Sequence, residues 1–175
     1  MTKEFETVVT SEADLRELYR LPAETTVKKK LTTLDVHARA FIESSPFMLI
    51  GTASPDGTGI GLIFLIPGVD ETLRVNGRAC LTTDPAVLDR CAVKDRRPKA
   101  AIGVTVTQQY MHCAKAFRRS DLWNPQAWPD LATLPSAGCI ARDQYAAIFD
   151  VPAADIEVML EANYATTMWE PGGKP

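Results

Sequence analysis

The sequence predicts the segregated α+β class: a small antiparallel β-barrel with helices packed on it from both ends of the chain. Three observations carry this. Strand-like runs cluster in the middle of the chain, and helix start and stop signals lie before and after them. The connections between strands have the Gly, Pro and Asp chemistry of hairpins rather than of β-α crossovers. At 175 residues and 46% hydrophobic content, a single domain with an ample core is expected. It divides into a helical part over 1–45, barrel strands over 46–120 and a helical part over 121–175.

Each element follows from local chemistry. Thr2 to Val9 is polar and reads as an edge or frayed segment. Ser11, with Asp14 three residues on, starts a helix through Leu15, Leu18 and Tyr19, and Leu21-Pro22 ends it. A second helical stretch, Glu24 to Leu31, carries Lys28, Lys29 and Lys30, a solvated turn of helix whose functional alternative is phosphate binding. Asp35 caps a third helix with Ala38, Phe41 and Ile42 on one face, stopped at Ser45-Pro46. Phe47 to Ala53 is a strand, and Ser54 to Gly59 is a turn cluster.

The stretch Ile60 to Leu88 organises the rest. Ile60 to Ile66 is almost wholly apolar and bounded by glycines and Pro67, which suits a strand buried on both faces. Pro67 to Asp70 reverses the chain. From Leu73 the pattern alternates, with Leu73, Val75, Gly77, Ala79 and Leu81 toward the core and Arg74, Asn76, Arg78, Cys80 and Thr82 on the other side. A strand face with two arginines and an asparagine either binds an anion or meets water. Asp84-Pro85 is the N-cap and first position of a short helix through Val87, Leu88 and Cys91.

Beyond a charged loop at Asp95 to Lys99, Ala100 to Thr107 is a half-buried strand with Ile102, Val104 and Val106 on one face. Gln108 to Trp123 mixes aromatics, a histidine, a cysteine and several cations. A helix over Ala114 to Ser120 places Lys115 and Arg119 four apart on one side. Asn124-Pro125 begins a short helix toward Trp128, Pro129 to Gly138 is a loop, and Arg142 to Phe149 is helical. Pro152 to Tyr164 is a final helix with Ile156, Met159, Leu160 and Tyr164 on its apolar side. The tail from Glu170 is expected to be flexible.

Several functions are disfavoured by the totals. A net charge of -3 with interspersed signs gives no reason to expect a nucleic-acid or membrane surface, local patches aside. No apolar run approaches the roughly 20 residues that span a bilayer. Cys80, Cys91, Cys113 and Cys139 are widely spaced, with no C-x-x-C pair and no secretory leader, which points to a reducing cytoplasm. The loops G-x-G-x-x-G, G-x-x-x-x-G-K-[ST] and G-x-S-x-G are absent. His37 and His112 are the only histidines, and no ligand set has metal spacing, so no metal is expected. Cys113 as a nucleophile needs a base and a lowered pKa, for which His112 and Lys115 are neighbours; the plainer reading is a buried small hydrophobe.

Three strings are more specific: SPFMLIGTASPDG at Ser45 to Gly57, LIFLIPGVDETLRVNGRACLTTDP at Leu62 to Pro85, and HCAKAFRRSDLW at His112 to Trp123. Together, over about Val9 to Tyr145, the chain resembles the pyridoxamine 5'-phosphate oxidase-like, FMN-binding split-barrel family, in its bacterial branch of uncharacterised FMN-dependent enzymes. The resemblance implies an antiparallel split β-barrel that forms a homodimer, with flavin in clefts between subunits.

Carried over residue by residue, it makes Thr72, Arg74 and Asn76 flavin contacts. It also matches H-C-x-K-A-x-x-R-S-x-L-W to His112, Cys113, Lys115, Ala116, Arg119, Ser120, Leu122 and Trp123. Lys115 and Arg119 would offer charge to a phosphate or substrate anion, with Ser120 beside them, and Trp123 would stack on a planar ring. Read without the resemblance, the same residues are a charged surface helix with one core tryptophan. The implied activity is an FMN-dependent oxidoreductase acting on a small molecule, the flavin carrying hydride or electron transfer. No side chain is singled out as catalytic acid or base. The competing readings are a flavin-free dimeric ligand-binding or interaction protein, and a deazaflavin-using reductase.

The chain departs from the family pattern at one place. Family members carry several dozen residues between the ASPDG turn and the LIFLIPG strand, including basic residues used around the FMN phosphate. This chain passes directly from Thr58-Gly59 to Ile60. Either an internal segment is missing from the 175 residues, or it is deleted and the Cα atoms of Gly59 and Ile60 are joined at about 3.8 Å.

Overall fold

The structure, a computed structural model, describes residues 8–52, 56–94, 96–145, 148 and 150–168. Capping chemistry sets the N-terminal helices. Helix α1 (Glu12–Leu18) opens with a capping box: the Asp14 amide donates to Ser11 Oγ at 3.1 Å and the Ser11 amide to Asp14 Oδ2 at 3.2 Å. The Ser11 hydroxyl bond, and then the backbone amides, hold the Asp14 carboxyl below its ordinary range. Helix α2 is shorter than expected, Glu24–Lys28, because the chain leaves it so that Leu31 can pair with Gln109. In α3 (Val36–Ser44), Asp35 Oδ1 accepts from the Ala38 amide at 2.8 Å.

Four strands follow: β1 (Phe47–Thr52), β2 (Gly59–Leu65), β3 (Thr72–Thr82) and β4 (Ala101–His112). Each pairs antiparallel with the next, in the order β1-β2-β3-β4. The α+β class is therefore observed, with helices at both ends of the chain and an antiparallel sheet between them. The sheet is open: no ladder joins β1 to β4 among the described residues. Gly59 and Ile60 are consecutive residues of β2, opposite Arg78 and Gly77 of β3, so β1 and β2 pair here without the family's additional segment between them. Between β1 and β2, Asp56 Oδ1 accepts from the Thr58 amide at 3.1 Å. Ala53, Ser54 and Pro55, which the sequence assigns to the strand end and the turn, lie outside the described residues, as do Asp95, Phe149, the first seven residues and the tail beyond Met168.

One face of the sheet is the core. Ile60, Leu62, Phe64, Leu73 and Val75 pack with Ala38 of α3, flanked by Leu34, Phe41, Ile42, Ala79, Val104 and Val106. Ser45 ties the end of α3 to the sheet, its hydroxyl accepting from the Leu65 amide at 3.0 Å and lying 2.6 Å from the Leu65 carbonyl. β2 is not buried on both faces as its composition suggests. Its burial alternates, Ile60, Leu62 and Phe64 inward and Gly61, Ile63 and Leu65 half-open, because α3 covers only one side. Leu81 and Ile102, expected in the core, are 80% and 51% exposed, since β3 and β4 run on past the helix layer. β1 pairs with β2 yet presents Phe47, Met48, Leu49 and Ile50 to solvent on both its faces.

β4 is longer than the expected strand and reaches His112 because a bulge rescues its pattern. Asn76 faces Gln108 but Gly77 faces Val106, so Thr107 is an extra residue. It shifts the inward parity from Val104 and Val106 to Gln109 and Met111. Gly77 is required here: a Cβ would stand 2.3 Å from the Thr105 carbonyl oxygen. Gly77→Ala should therefore cost about 1–3 kcal/mol by overpacking. Gly51→Ala, whose Cβ would meet nothing closer than 3.9 Å, should be near neutral, and urea unfolding of the two variants checks both.

After β3, α4 (Pro85–Arg90) begins as expected, Asp84 Oδ1 accepting from the Ala86 amide at 2.9 Å. Helix α5 is Lys115–Ser120. Two short 3-10 turns, Pro125–Ala127 and Leu131–Thr133, replace the expected helix and loop. Helix α6 (Ala137–Gln144) starts five residues before the expected Arg142, because the Ser136 hydroxyl accepts from the Cys139 amide and caps it. It crosses α7 (Ala153–Thr167) closely enough that a Cβ on Gly138 would stand 2.2 Å from the Ala153 carbonyl oxygen.

Candidate functional site

The face of the sheet opposite the core holds the site. The alternation that sends Leu73 and Val75 inward turns Thr72, Arg74 and Asn76 to this side. Gly61 and Ile63 of β2 lie opposite Asn76 and Arg74, and Gly51 and Leu49 of β1 lie beyond them. Leu49, Gly51, Gly61, Ile63, Arg74 and Asn76 line an open cleft of about 650 Å³. Its floor is mostly apolar, with glycines where β1 and β2 pass: a Cβ on Gly61 would press to 3.4 Å from Asn76 Oδ1. Asn76 is oriented by donating from Nδ2 to Gln108 Oε1 at 3.0 Å.

The two arginines of β3 differ. Arg78 is exposed and pairs with Asp56 at 3.2 Å, the water-facing alternative. Arg74 is half-buried, and its Nε is fully enclosed with no hydrogen-bond partner. A guanidinium N–H held out of water without an acceptor is costly.

At the far end of the same face, Thr72 pairs with His112 and Arg74 with Tyr110. Lys29 reaches over from the α2 side. Its Nζ donates to the Met111 carbonyl at 2.7 Å and stands 5.5 Å from the centre of the Tyr110 ring. Burial, then the positive charges of Arg74 and Lys29, push the His112 pKa below its ordinary 6.5. The unfolded chain thus binds more protons than the folded one as pH falls below 6.5, so the stability owed to neutral His112 is present above that value and lost on acidification. His112→Gln should flatten this part of a plot of urea midpoint against pH. An unchanged slope in the variant would rule His112 out as its source.

The third string takes a different place. Lys115, Arg119 and Ser120 are exposed on α5, and the Ser120 hydroxyl donates to the Phe117 carbonyl at 3.1 Å. Trp123 meets Phe117 edge-on at 5.6 Å and donates from Nε1 to the Val69 carbonyl at 3.0 Å. Arg118 pairs with Asp70 at 2.9 Å. These contacts fasten α5 to the β2–β3 turn. Thr72, Arg74 and Asn76 are thus brought onto one face, where Arg74 and Asn76 line the cleft, whereas Thr72, Lys115, Arg119, Ser120 and Trp123 are absent from its described lining. Cys113 is exposed, not buried, because the strand has ended at His112.

Sequence reasoning named Lys29 only within the three-lysine run and did not separate it from Lys28 and Lys30; it missed Tyr110 and Gln108 as site neighbours, and Gly51 and Gly61 as cleft floor. The glycine pair was visible as alternation in Leu49–Gly51 and Gly61–Ile63. Among the described residues no cluster of His, Cys, Asp and Glu is placed to hold a metal, and no helix is long and apolar enough to cross a membrane.

Fold and site together define the class as an α+β protein whose four-stranded antiparallel meander is covered on one face and carries an open cleft on the other. Compared with family models, with curated proteins and with solved structures, the chain matches none.

Proposed function

We propose that this chain is an FMN-dependent oxidoreductase of the pyridoxamine 5'-phosphate oxidase-like class, with flavin in the cleft beside Arg74 and Asn76 at a homodimer junction. In this reading the open sheet belongs to a split barrel, and a second copy covers β1 and the mouth of the cleft. The observation that carries the proposal is the enclosed, unpartnered Arg74 Nε at the wall of a mostly apolar cleft. Support also comes from the resemblance of the three sequence strings and from the apolar, exposed β1 edge.

The residues suit such a group. The glycine-lined floor accepts a flat ring, Arg74 offers a charged donor to an electron-rich edge, and the Asn76 amide is already oriented. FMN, when bound, supplies hydride or electron transfer. The protein's part is to bind and orient the ring, exclude water with Leu49 and Ile63, and place positive charge beside it. Arg78 stays outside, paired with Asp56.

Titration of FMN with the purified chain should quench flavin fluorescence, and a size measurement should give twice the monomer mass. Undiminished fluorescence at high protein concentration would instead favour the flavin-free binding protein, the reading consistent with the shortened β1–β2 connection. Quenching by a deazaflavin in preference to FMN would reassign the cofactor.

A further inference from the structure

We infer that Lys29, Thr72, Arg74 and His112 form a binding site for a phosphate or carboxylate group at the β3–β4 end of the open face. The inference uses the flavin reading only to say what molecule the anion belongs to. The site itself is argued from placement.

Strand pairing sets Thr72 opposite His112 and Arg74 opposite Tyr110, so the four side chains share one face. Lys29 joins them from a segment anchored to β4, where Leu31 and Gln109 exchange backbone hydrogen bonds of 2.9 and 2.7 Å. One ammonium proton goes to the Met111 carbonyl, and two remain for another acceptor. Thr72 is only 6% exposed. The Thr72 hydroxyl, the His112 ring and the Arg74 guanidinium make no side-chain hydrogen bond to another described residue, and Arg74 Nε is enclosed.

Two cations therefore stand beside Thr72 and His112, the charges acting on His112 are both positive, and Arg74 Nε has no acceptor. The charges that act on His112, from β3 and from the α2 side, are the cations Arg74 and Lys29. Two cations, an imidazole and a hydroxyl gathered on rigid strands are costly as they stand. An oxyanion supplies an acceptor through charge-assisted hydrogen bonds and favours protonation of His112. The three-lysine run also divides. Lys28 pairs with Glu24 on the helix surface, whereas Lys29 turns to the site. Two molecules can bring the anion: FMN through its own phosphate, or a substrate with an acidic group.

The test follows the His112 ring by NMR across pH, at constant ionic strength, with chloride or inorganic phosphate as the anion. His112→Gln separates its signal from that of His37. Phosphate should raise the proton affinity of His112 about tenfold and leave His37 unmoved, and Lys29→Met should weaken that response. A His112 titration that is the same in phosphate as in chloride overturns the site, whether or not FMN binds in the cleft. The source is read in parallel. If FMN raises the His112 pKa, riboflavin does not and phosphate competes with FMN, the cofactor's phosphate is the ligand. If phosphate still moves His112 in the FMN-loaded protein, the anion belongs to the substrate. Both outcomes support the site, and the fluorescence titration separately reports whether flavin binds.

Discussion

With FMN in the cleft as proposed, Arg74→Met should weaken its binding about 10- to 100-fold, the range expected for one lost hydrogen bond to a charged group. The same substitution leaves the melting temperature unchanged or raises it. The two halves of this result have one cause. In the free protein the Arg74 Nε is enclosed without an acceptor, so the fold carries a desolvated donor that no contact offsets. Methionine keeps much of the stem's volume and removes that donor. Binding then loses its charged partner while folding loses only a liability. Arg78→Met is the control: that side chain is exposed and its ion pair with Asp56 lies on the surface, so neither affinity nor stability should move appreciably. Wild-type affinity in Arg74→Met would remove Arg74 from the cofactor site.

Leu73→Ala should be the most damaging single truncation in the sheet, at about 3–5 kcal/mol. Leu73 is 0% exposed and sits where β3 meets β2, β4 and α3, opposite Phe64 and Met111. Neighbours held by strand ladders on both sides cannot collapse into the vacated volume, so the cavity cost adds to the lost burial. For a chain of this size the melting temperature should fall by roughly 10 °C. Leu81→Ala makes the contrast. It has the same chemistry and the same parity on β3, but it is 80% exposed and should change stability by no more than about 0.5 kcal/mol. Equal costs at the two positions, measured by urea unfolding, would mean that α3 does not define the core.

Most of the fold was legible because its signals are local. The Ser11 and Asp14 capping box, the Asp35 cap and the Asp84-Pro85 start each mark a helix where one is found. Alternation from Leu73 identified both β3 and the side its polar groups take. What failed depended on neighbours. Alternation cannot tell how far a helix layer extends, so Leu81 and Ile102 were placed in a core that stops at Ala79 and Val104. The bulge at Thr107 broke the period of β4 and hid its last five residues, Gln108 to His112. Arg74 and Arg78 look alike in sequence, yet one is enclosed and the other is paired on the surface.

The sequence by itself determined the α+β class, the order of the elements and the inward and outward sides of β3, because caps, turn residues and two-residue periodicity act over a few neighbouring positions. Only the tertiary structure decided that the sheet stays open, that Lys29 reaches Tyr110 and the Met111 carbonyl from more than eighty residues away, and that Trp123 fastens a turn. Those outcomes depend on which surfaces approach one another in space. Burial, desolvation and the juxtaposition of like charges exist only once distant segments have packed.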